Sequence, residues 1–190
     1  MRLVLAFFLI VFYSSAMASL SKSDDIYDIV DLLTDSAVDH GIPPEVLISL
    51  ATHESGDPNK NFKINPYALN VKGRSVYPSS KVDAYKRIIK EVIDGKDSVG
   101  VGVGQIEWKF HSSSFGSYWE ALDVHNNVNA TTSYLKKMYK EFCRSKSFSC
   151  AVAAYHNRNK DVGKTYLSKV IYQCVRLYGE KSCEPLTEPF

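Results

Sequence analysis

The chain has 190 residues, 45% of them hydrophobic and 23% charged, with Lys+Arg 23 against Asp+Glu 21 and a formal charge of +2. This composition suits one domain with a sizeable core, and excludes a disordered chain, a collagen-like repeat and a polytopic membrane protein. A nucleic-acid binder normally carries a clustered basic surface, so no nucleic acid is expected as a partner.

Met1 and Arg2 precede an apolar run from Leu3 to Tyr13, and Ala16-Met17-Ala18 forms a small-x-small cleavage site. The pattern is that of a secretory signal peptide over 1–18. The run falls short of the roughly 20 apolar residues that span a bilayer, so no membrane anchor is expected after cleavage. Residues 19–190 show no repeat or linker and read as a single domain.

Ile26, Ile29, Val30, Leu33 and Ala37 recur at helical spacing, with Gly41 placed to end the helix. Pro43-Pro44 opens a second helix whose stripe runs Leu47, Leu50, Ala51 and then Glu54. Residues 55–79 are rich in Asn, Gly, Pro and Ser and read as loop with a short extended pair. Ser80, with Asp83 three residues on, caps a helix with Val82, Tyr85, Ile89 and Val92 along one face and Gly95 at its end. Val99 to Ile106 alternates Val with Gly, as a strand or a tight turn would. Later helices follow from Val128, Thr132, Leu135, Met138 and Phe142, from Cys150 to Tyr155, and from Leu167, Val170, Ile171, Cys174 and Tyr178. The expected fold class is mainly α.

Cys143, Cys150, Cys174 and Cys183 are an even set in a chain with an export signal, which favours two disulfides. Sequence proximity favours Cys143–Cys150 and Cys174–Cys183. A zinc site is disfavoured, since no C-x-x-C pair and no histidine at ligand spacing accompany them. A periplasmic or secreted location is expected.

Glu54 is the most informative position. A carboxyl that continues an apolar stripe faces the core or a cleft wall, where desolvation raises its pKa and keeps it protonated near neutral pH. A general acid needs that property. A helix-end Glu turned to solvent is the plain alternative. His53-Glu54 lacks the second histidine of H-E-x-x-H, since position 57 is Asp. Gly100-x-Gly102-x-Gly104 lacks the spacing of a nucleotide-binding loop, and no G-x-S-x-G elbow is present.

Four segments in order, Glu54-Ser55-Gly56, Asn65-Pro66-Tyr67-Ala68-Leu69-Asn70, Gly102-Val103-Gly104-Gln105-Ile106 and Ala153-Ala154-Tyr155-His156, resemble the soluble lytic transglycosylase family. Within that family the chain resembles the specialised enzymes of type IV secretion, conjugation and pilus systems, with residues 71–99 in the place of their helical insertion. The resemblance, from about Pro43 to Val170, implies a lysozyme-like α-helical domain with a small irregular or β-containing lobe. It implies cleavage of the N-acetylmuramic acid–N-acetylglucosamine bond of peptidoglycan glycan strands, with a 1,6-anhydromuramoyl product. Glu54 matches the catalytic acid/base; Ser55 would help hold the site and Gln105 would face the glycan. Tyr155 matches an aromatic that hydrogen-bonds near the carboxylate, and Asn70 stands close to the sugar. His156 replaces the family's usual Asn and stands as a substrate contact or a structural histidine. Gly104 replaces a subsite Met. No metal or organic cofactor is implied. Components of an envelope-spanning machine are the implied partners.

Sugar rings stack on aromatic faces, and Tyr67, Tyr77, Trp108, Phe110, Phe115, Tyr118 and Trp119 fall in or near the cleft segments. Trp108, just after Gln105, is the expected cleft wall. Asp57, Asp97 or Glu107 would serve as the second carboxylate if the chain were a lysozyme-type hydrolase. A catalytically silent glycan-binding scaffold is the third reading.

Overall fold

The structure is a computed structural model and describes residues 28–95 and 98–190. The signal peptide, Ile26 and Asp97 lie outside the described residues. Helices dominate, with two small antiparallel sheets, which agrees with the mainly α expectation.

Helix α1 (Ile29–Asp39) begins where the Asp28 carboxylate accepts the Val30 N–H at 3.1 Å, and it buries Leu33 and Ala37. Pro43 and Pro44 then set the entry to α2 (Pro44–Ser55), Pro being suited to the first helical position because that N–H has no partner in the helix. Eight of the twelve residues of α2 are buried, so this is a central helix, not an amphipathic surface one. It packs against α1 and against α8 (Lys160–Tyr178), the longest helix among the described residues. Leu47, Leu50 and Ala51 are fully buried there, as their stripe predicts.

After α2 the chain forms a two-stranded ribbon, β1 (Gly56–Asp57) with β2 (Lys63–Ile64), and then a four-stranded sheet of order β4-β3-β5-β6. Its strands are β3 (Leu69–Val71), β4 (Arg74–Val76), β5 (Val99–Val101) and β6 (Ile106–Glu107). Pairing puts Ser75, Asn70, Gly100 and Glu107 in one row across the sheet. Side chains alternate faces along a strand, so this row shares one face while Leu69, Val71, Val99 and Val101 share the other. That second face is buried with Ala84, Ile88, Ala121 and Leu122 in a small core of its own, beside the larger core of the helices. The Val–Gly alternation of 99–106 resolves into a strand, a turn at Gly102–Gln105 and a second strand.

Helix α3 (Lys81–Ile93) starts as expected: Ser80 Oγ accepts the Asp83 N–H, and the Asp83 carboxylate accepts from the Ser80 and Ser79 hydroxyls. These hydrogen bonds hold the Asp83 carboxyl below its ordinary pKa. Its buried face is a correction. Ala84, Ile88 and Glu91 point inward, whereas Val82 and Val92 are 48% and 40% exposed. The apolar arc of α3 is wider than the sheet beneath it covers, and the sheet takes the side that carries Ala84 and Ile88. Glu91 tolerates burial because Arg87 Nε donates to it at 2.7 Å.

Short helices α4 (Trp108–His111) and α5 (Tyr118–Ala121) lead into α6 (Val124–Lys137). A π-turn at Met138–Phe142 closes α6, and its wider turn shifts the helical phase. Phe142, placed inward by simple 3.6-residue spacing, is consequently 46% exposed and sits under Arg158. Helix α7 (Phe148–His156), capped by Ser147, then packs on α8, and the short α9 (Glu184–Thr187) closes the chain against both.

Both disulfides have the local pairing, Cys143–Cys150 between the π-turn and α7, and Cys174–Cys183 between α8 and the turn that follows. Closing a loop of this size removes entropy from the unfolded chain. The double substitution Cys174→Ser/Cys183→Ser is expected to lower the unfolding free energy by about 2–3 kcal/mol. A denaturant titration would read this as a lower midpoint at nearly constant slope.

Candidate active site

Glu54 sits in the last turn of α2, and Gly56 ends the helix in extended conformation. Helix α8 crosses here, and the Tyr166 hydroxyl donates to Glu54 Oε1 at 2.5 Å. Glu54 as a whole is partly exposed, but its carboxyl group is enclosed by protein. Desolvation raises its pKa from 4.5 to about 7, against the opposing hydrogen bond from Tyr166. Glu54 therefore keeps a protonated population far closer to neutral pH than an ordinary carboxyl does, as a general acid requires. Tyr166 is itself buried, and desolvation and the Glu54 charge push its phenol well above the ordinary range, so it remains a donor.

Two histidines frame Tyr166. His156 stacks on its ring at 4.5 Å with an interplanar angle of 1°, and His53 meets it edge-on at 5.1 Å. Burial lowers the pKa of both, with a further lowering by Lys169, and that of His53 falls to about 4. Both imidazoles are neutral at pH 7.

The opposite wall is the Gly102–Gln105 turn. Helix α6 approaches it so closely that a Cβ on Gly102 would meet Asn127 at 2.4 Å, and one on Gly104 would meet Thr131 Oγ1 at 2.1 Å and the Tyr155 hydroxyl at 2.7 Å. Glycine is required at both places for space. Asn127, fully buried, donates to the carbonyls of Val101 and Ala121 and accepts the Gly104 N–H, and the Tyr155 hydroxyl donates to the Gly104 carbonyl at 2.7 Å. This clamp holds Gln105 with φ 48, in the left-handed region. Gln105 Nε2 donates to the carbonyls of Ala68 and Gly102, tying the turn to the segment before β3. Asn65 shapes that segment: its side chain accepts the Tyr67 N–H and donates to the Pro78 carbonyl, and its own N–H donates to the Ser55 carbonyl.

Between these walls lie two cavities, of about 1410 and 540 Å³, that share Glu54, Asn70, Gln105 and His156. These four side chains form a waist in one continuous cleft. The larger side is walled by Phe110, Phe115, His111, Tyr134 and Tyr155, together with the polar face of the sheet. Phe110 is 75% exposed, the most open aromatic surface along it. The smaller side is walled by His53, Tyr166 and Lys169.

Four of the sequence-derived site residues thus meet at the waist, and Tyr155 adjoins it. Two expectations are corrected. Trp108 does not line the cleft: its ring stacks on Tyr118 at 3.9 Å and packs against the smaller core, leaving Phe110 to face the cavity. Ser55 is fully buried and donates to the Ala51 carbonyl, so its side chain supports α2 and does not reach the cleft. Tyr155, expected to hydrogen-bond near the carboxylate, donates to Gly104 and lines the larger side, while the phenol bonded to Glu54 itself is Tyr166. Among the acidic candidates, Asp57 is buried, caps a short turn by accepting the Asn59 N–H, and pairs with Lys60. Glu107 lies on the cleft face of the sheet and accepts from Ser98. Tyr166 and Asn127 went unseen in the sequence. Tyr166 precedes the recognisable stripe residue Leu167, and a polar Asn127 at helical spacing reads as surface. No group of three or more His, Cys, Asp or Glu among the described residues is placed to hold a metal ion.

No family model, curated protein or solved structure matches this chain.

Three expectations follow from this geometry. The folded-state pKa of Glu54 is raised, so between pH 4.5 and about 7 the folded protein holds a proton that the unfolded chain has released. Stability therefore falls as pH rises through that window. Glu54→Gln removes the penalty and is expected to stabilise the protein above pH 7 by up to about 3 kcal/mol, with little effect near pH 4, in paired denaturation curves. Tyr166→Phe removes the opposing hydrogen bond and should move the Glu54 carboxyl signal in an NMR titration to still higher pH. Separately, Gly104→Ala forces the new methyl into Thr131 and Tyr155, and should destabilise by about 1–3 kcal/mol.

Proposed function

We propose that this protein is a peptidoglycan lytic transglycosylase, with Glu54 as its single general acid and base. The observation that carries the reading is a carboxyl group held partly protonated near neutral pH at the waist of an open, elongated cleft. A cleft with openings on both sides of the acid suits a polymer that continues past the cut. Exposed Phe110, with Asn70 and the polar sheet face, supplies the stacking and hydrogen-bonding surface that a sugar chain uses. The four-segment resemblance supports the family and a lysozyme-like domain, and its motif residues Glu54, Asn70, Gln105 and His156 are the four that meet at the waist.

In this reading Glu54 donates its proton to the glycosidic oxygen that links N-acetylmuramic acid to N-acetylglucosamine. The bond from C1 breaks and the muramoyl unit takes on oxocarbenium character. The resulting carboxylate, still hydrogen-bonded by Tyr166, accepts the proton of the muramoyl C6 hydroxyl as that oxygen closes on C1. The products are a 1,6-anhydromuramoyl end and a free 4-hydroxyl, and no water is consumed. The proton returns to Glu54, ready for the next cut. Around Glu54 the smaller cavity holds no other carboxylate among the described residues, which fits a one-carboxylate cycle. Gln105 presents only its carbonyl to substrate, since its amide nitrogen is committed to the backbone.

Export through a cleaved signal peptide places the enzyme outside the cytoplasm. The two disulfides fit that compartment, and among the described residues no helix is long and apolar enough to cross a membrane. Local wall opening for a secretion, conjugation or pilus machine is the corresponding role, with α3 in the place of the specialised enzymes' insertion.

Purified wall incubated with the protein should yield anhydro-muropeptides by mass spectrometry, and Glu54→Gln should reduce that yield by at least 10³-fold while remaining folded. Products heavier by one water would assign a lysozyme-type hydrolase, with Glu107 the first acid to replace. Wild type that clears no wall where a control enzyme does would leave a glycan-binding scaffold.

A further inference from the structure

The two sides of the waist differ in charge. On the larger side Glu107 and Glu120 face Lys72, Lys137 and Arg158, so both signs are present. On the smaller side the only acid among the described residues is Glu54, partly neutral near pH 7, while the basic groups are Lys169, His53 and His156. Lys169 reaches far enough over this cavity to depress both imidazoles. It has no hydrogen-bond or ion-pair partner among the described residues, and neither histidine ring has a hydrogen-bond partner there. Asn70 uses its side-chain oxygen to accept the Gly73 N–H, which leaves its amide donors for the cleft. The cavity thus gathers an ammonium, two imidazole rings and an amide; Lys169 and His156 are exposed, so these groups are open to a ligand and committed to no protein partner among the described residues. An occupant that satisfies them is rich in acceptors and carries one negative charge.

We propose that the smaller cavity is a carboxylate-binding subsite in which Lys169, assisted by His53 and His156, takes an acidic substituent of the muramoyl unit and so sets which sugar lies on that side of Glu54. The inference rests on the transglycosylase reading and extends it. A glycan of alternating muramoyl and N-acetylglucosamine units carries its carboxylates on every second sugar only. One cation beside the acid then fixes the phase of the strand, because a slip by one sugar leaves Lys169 facing a neutral unit. That carboxylate has two sources: the lactyl group itself where the peptide has been removed, or the stem peptide where it remains.

The test uses the full mature chain carrying Glu54→Gln, which binds without cutting. Calorimetry would compare a muramoyl-containing tetrasaccharide with free lactyl carboxylates, the same tetrasaccharide bearing stem peptides, and a neutral N-acetylglucosamine tetramer. Adding Lys169→Met is expected to weaken one or both acidic ligands about tenfold and the neutral tetramer less than twofold, and the ligand that responds identifies the source. Lys169→Arg should restore binding, and raised salt should weaken the acidic ligand selectively. Equal affinity for all three ligands, no saturable binding of either acidic ligand, or an equal loss for the neutral tetramer would overturn the proposal. A carboxylate preference that depends on Lys169 in a protein that cuts no wall would remove the transglycosylase reading and leave the subsite standing. Cutting that is indifferent to Lys169 would do the reverse.

Discussion

The architecture of the cleft depends on how closely helix α6 approaches the Gly102–Gln105 turn. At that distance no side chain fits at Gly102 or Gly104, and the buried backbone groups around the turn need partners from the protein. Asn127 meets three of them with one side-chain amide, and Tyr155 meets a fourth. A buried carbonyl or N–H left unpaired costs about 1–3 kcal/mol, so this clamp is under strong constraint. It joins the small sheet to the helical core and forces Gln105 into a left-handed backbone that ordinary loops avoid. Gln105 then reaches back to Ala68 and holds the strand that carries Asn70. One close contact between a helix and a turn therefore sets one whole wall of the waist.

The other wall is governed by electrostatics. Helix α2 is buried nearly all round, and placing a carboxyl in its last turn takes that group out of water. The fold offers Glu54 a phenol donor and, among the described residues, no ion-pair partner, which leaves the acid poised between its two protonation states near neutral pH. Tyr166 contributes twice, through its hydroxyl to Glu54 and through its ring as the surface on which both histidines pack. The same burial that keeps the acid protonated toward neutral pH weakens the fold as pH rises above 4.5.

Helices were legible wherever their buried face was apolar and regular. The apolar stripe of α2 matches its buried residues, that of α8 holds at Leu167, Val170 and Cys174 but not at Tyr178, which is exposed, and the Ser80 cap fell where the sequence put it. The sequence misled where burial follows neighbours and not periodicity. The inner face of α3 was decided by the sheet beneath it, which selected Ala84, Ile88 and even Glu91 over the valines. The phase of Phe142 was lost at a π-turn that no spacing rule signals. At the site, Glu54 was legible because a charge interrupts an apolar stripe, and Asn70, Gln105 and His156 because short motifs in order are specific. Trp108 was misplaced by assuming that proximity in sequence means proximity to substrate, when its ring finds a better partner in Tyr118. Tyr166 and Asn127 were invisible because their roles exist only once two distant segments meet.

The Cys174–Cys183 bond staples the far end of the helix that carries both Tyr166 and Lys169. Cys174 lies on the buried face of α8, about two turns beyond Tyr166. While the thiols are reduced, that end of the helix is held by packing alone, and the hydrogen bond to Glu54 is only as firm as the docking of α8. Oxidation removes that freedom. Glu54 therefore has its fully anchored partner only once the Cys174–Cys183 bond has formed. A site built this way is at its loosest while the thiols are reduced.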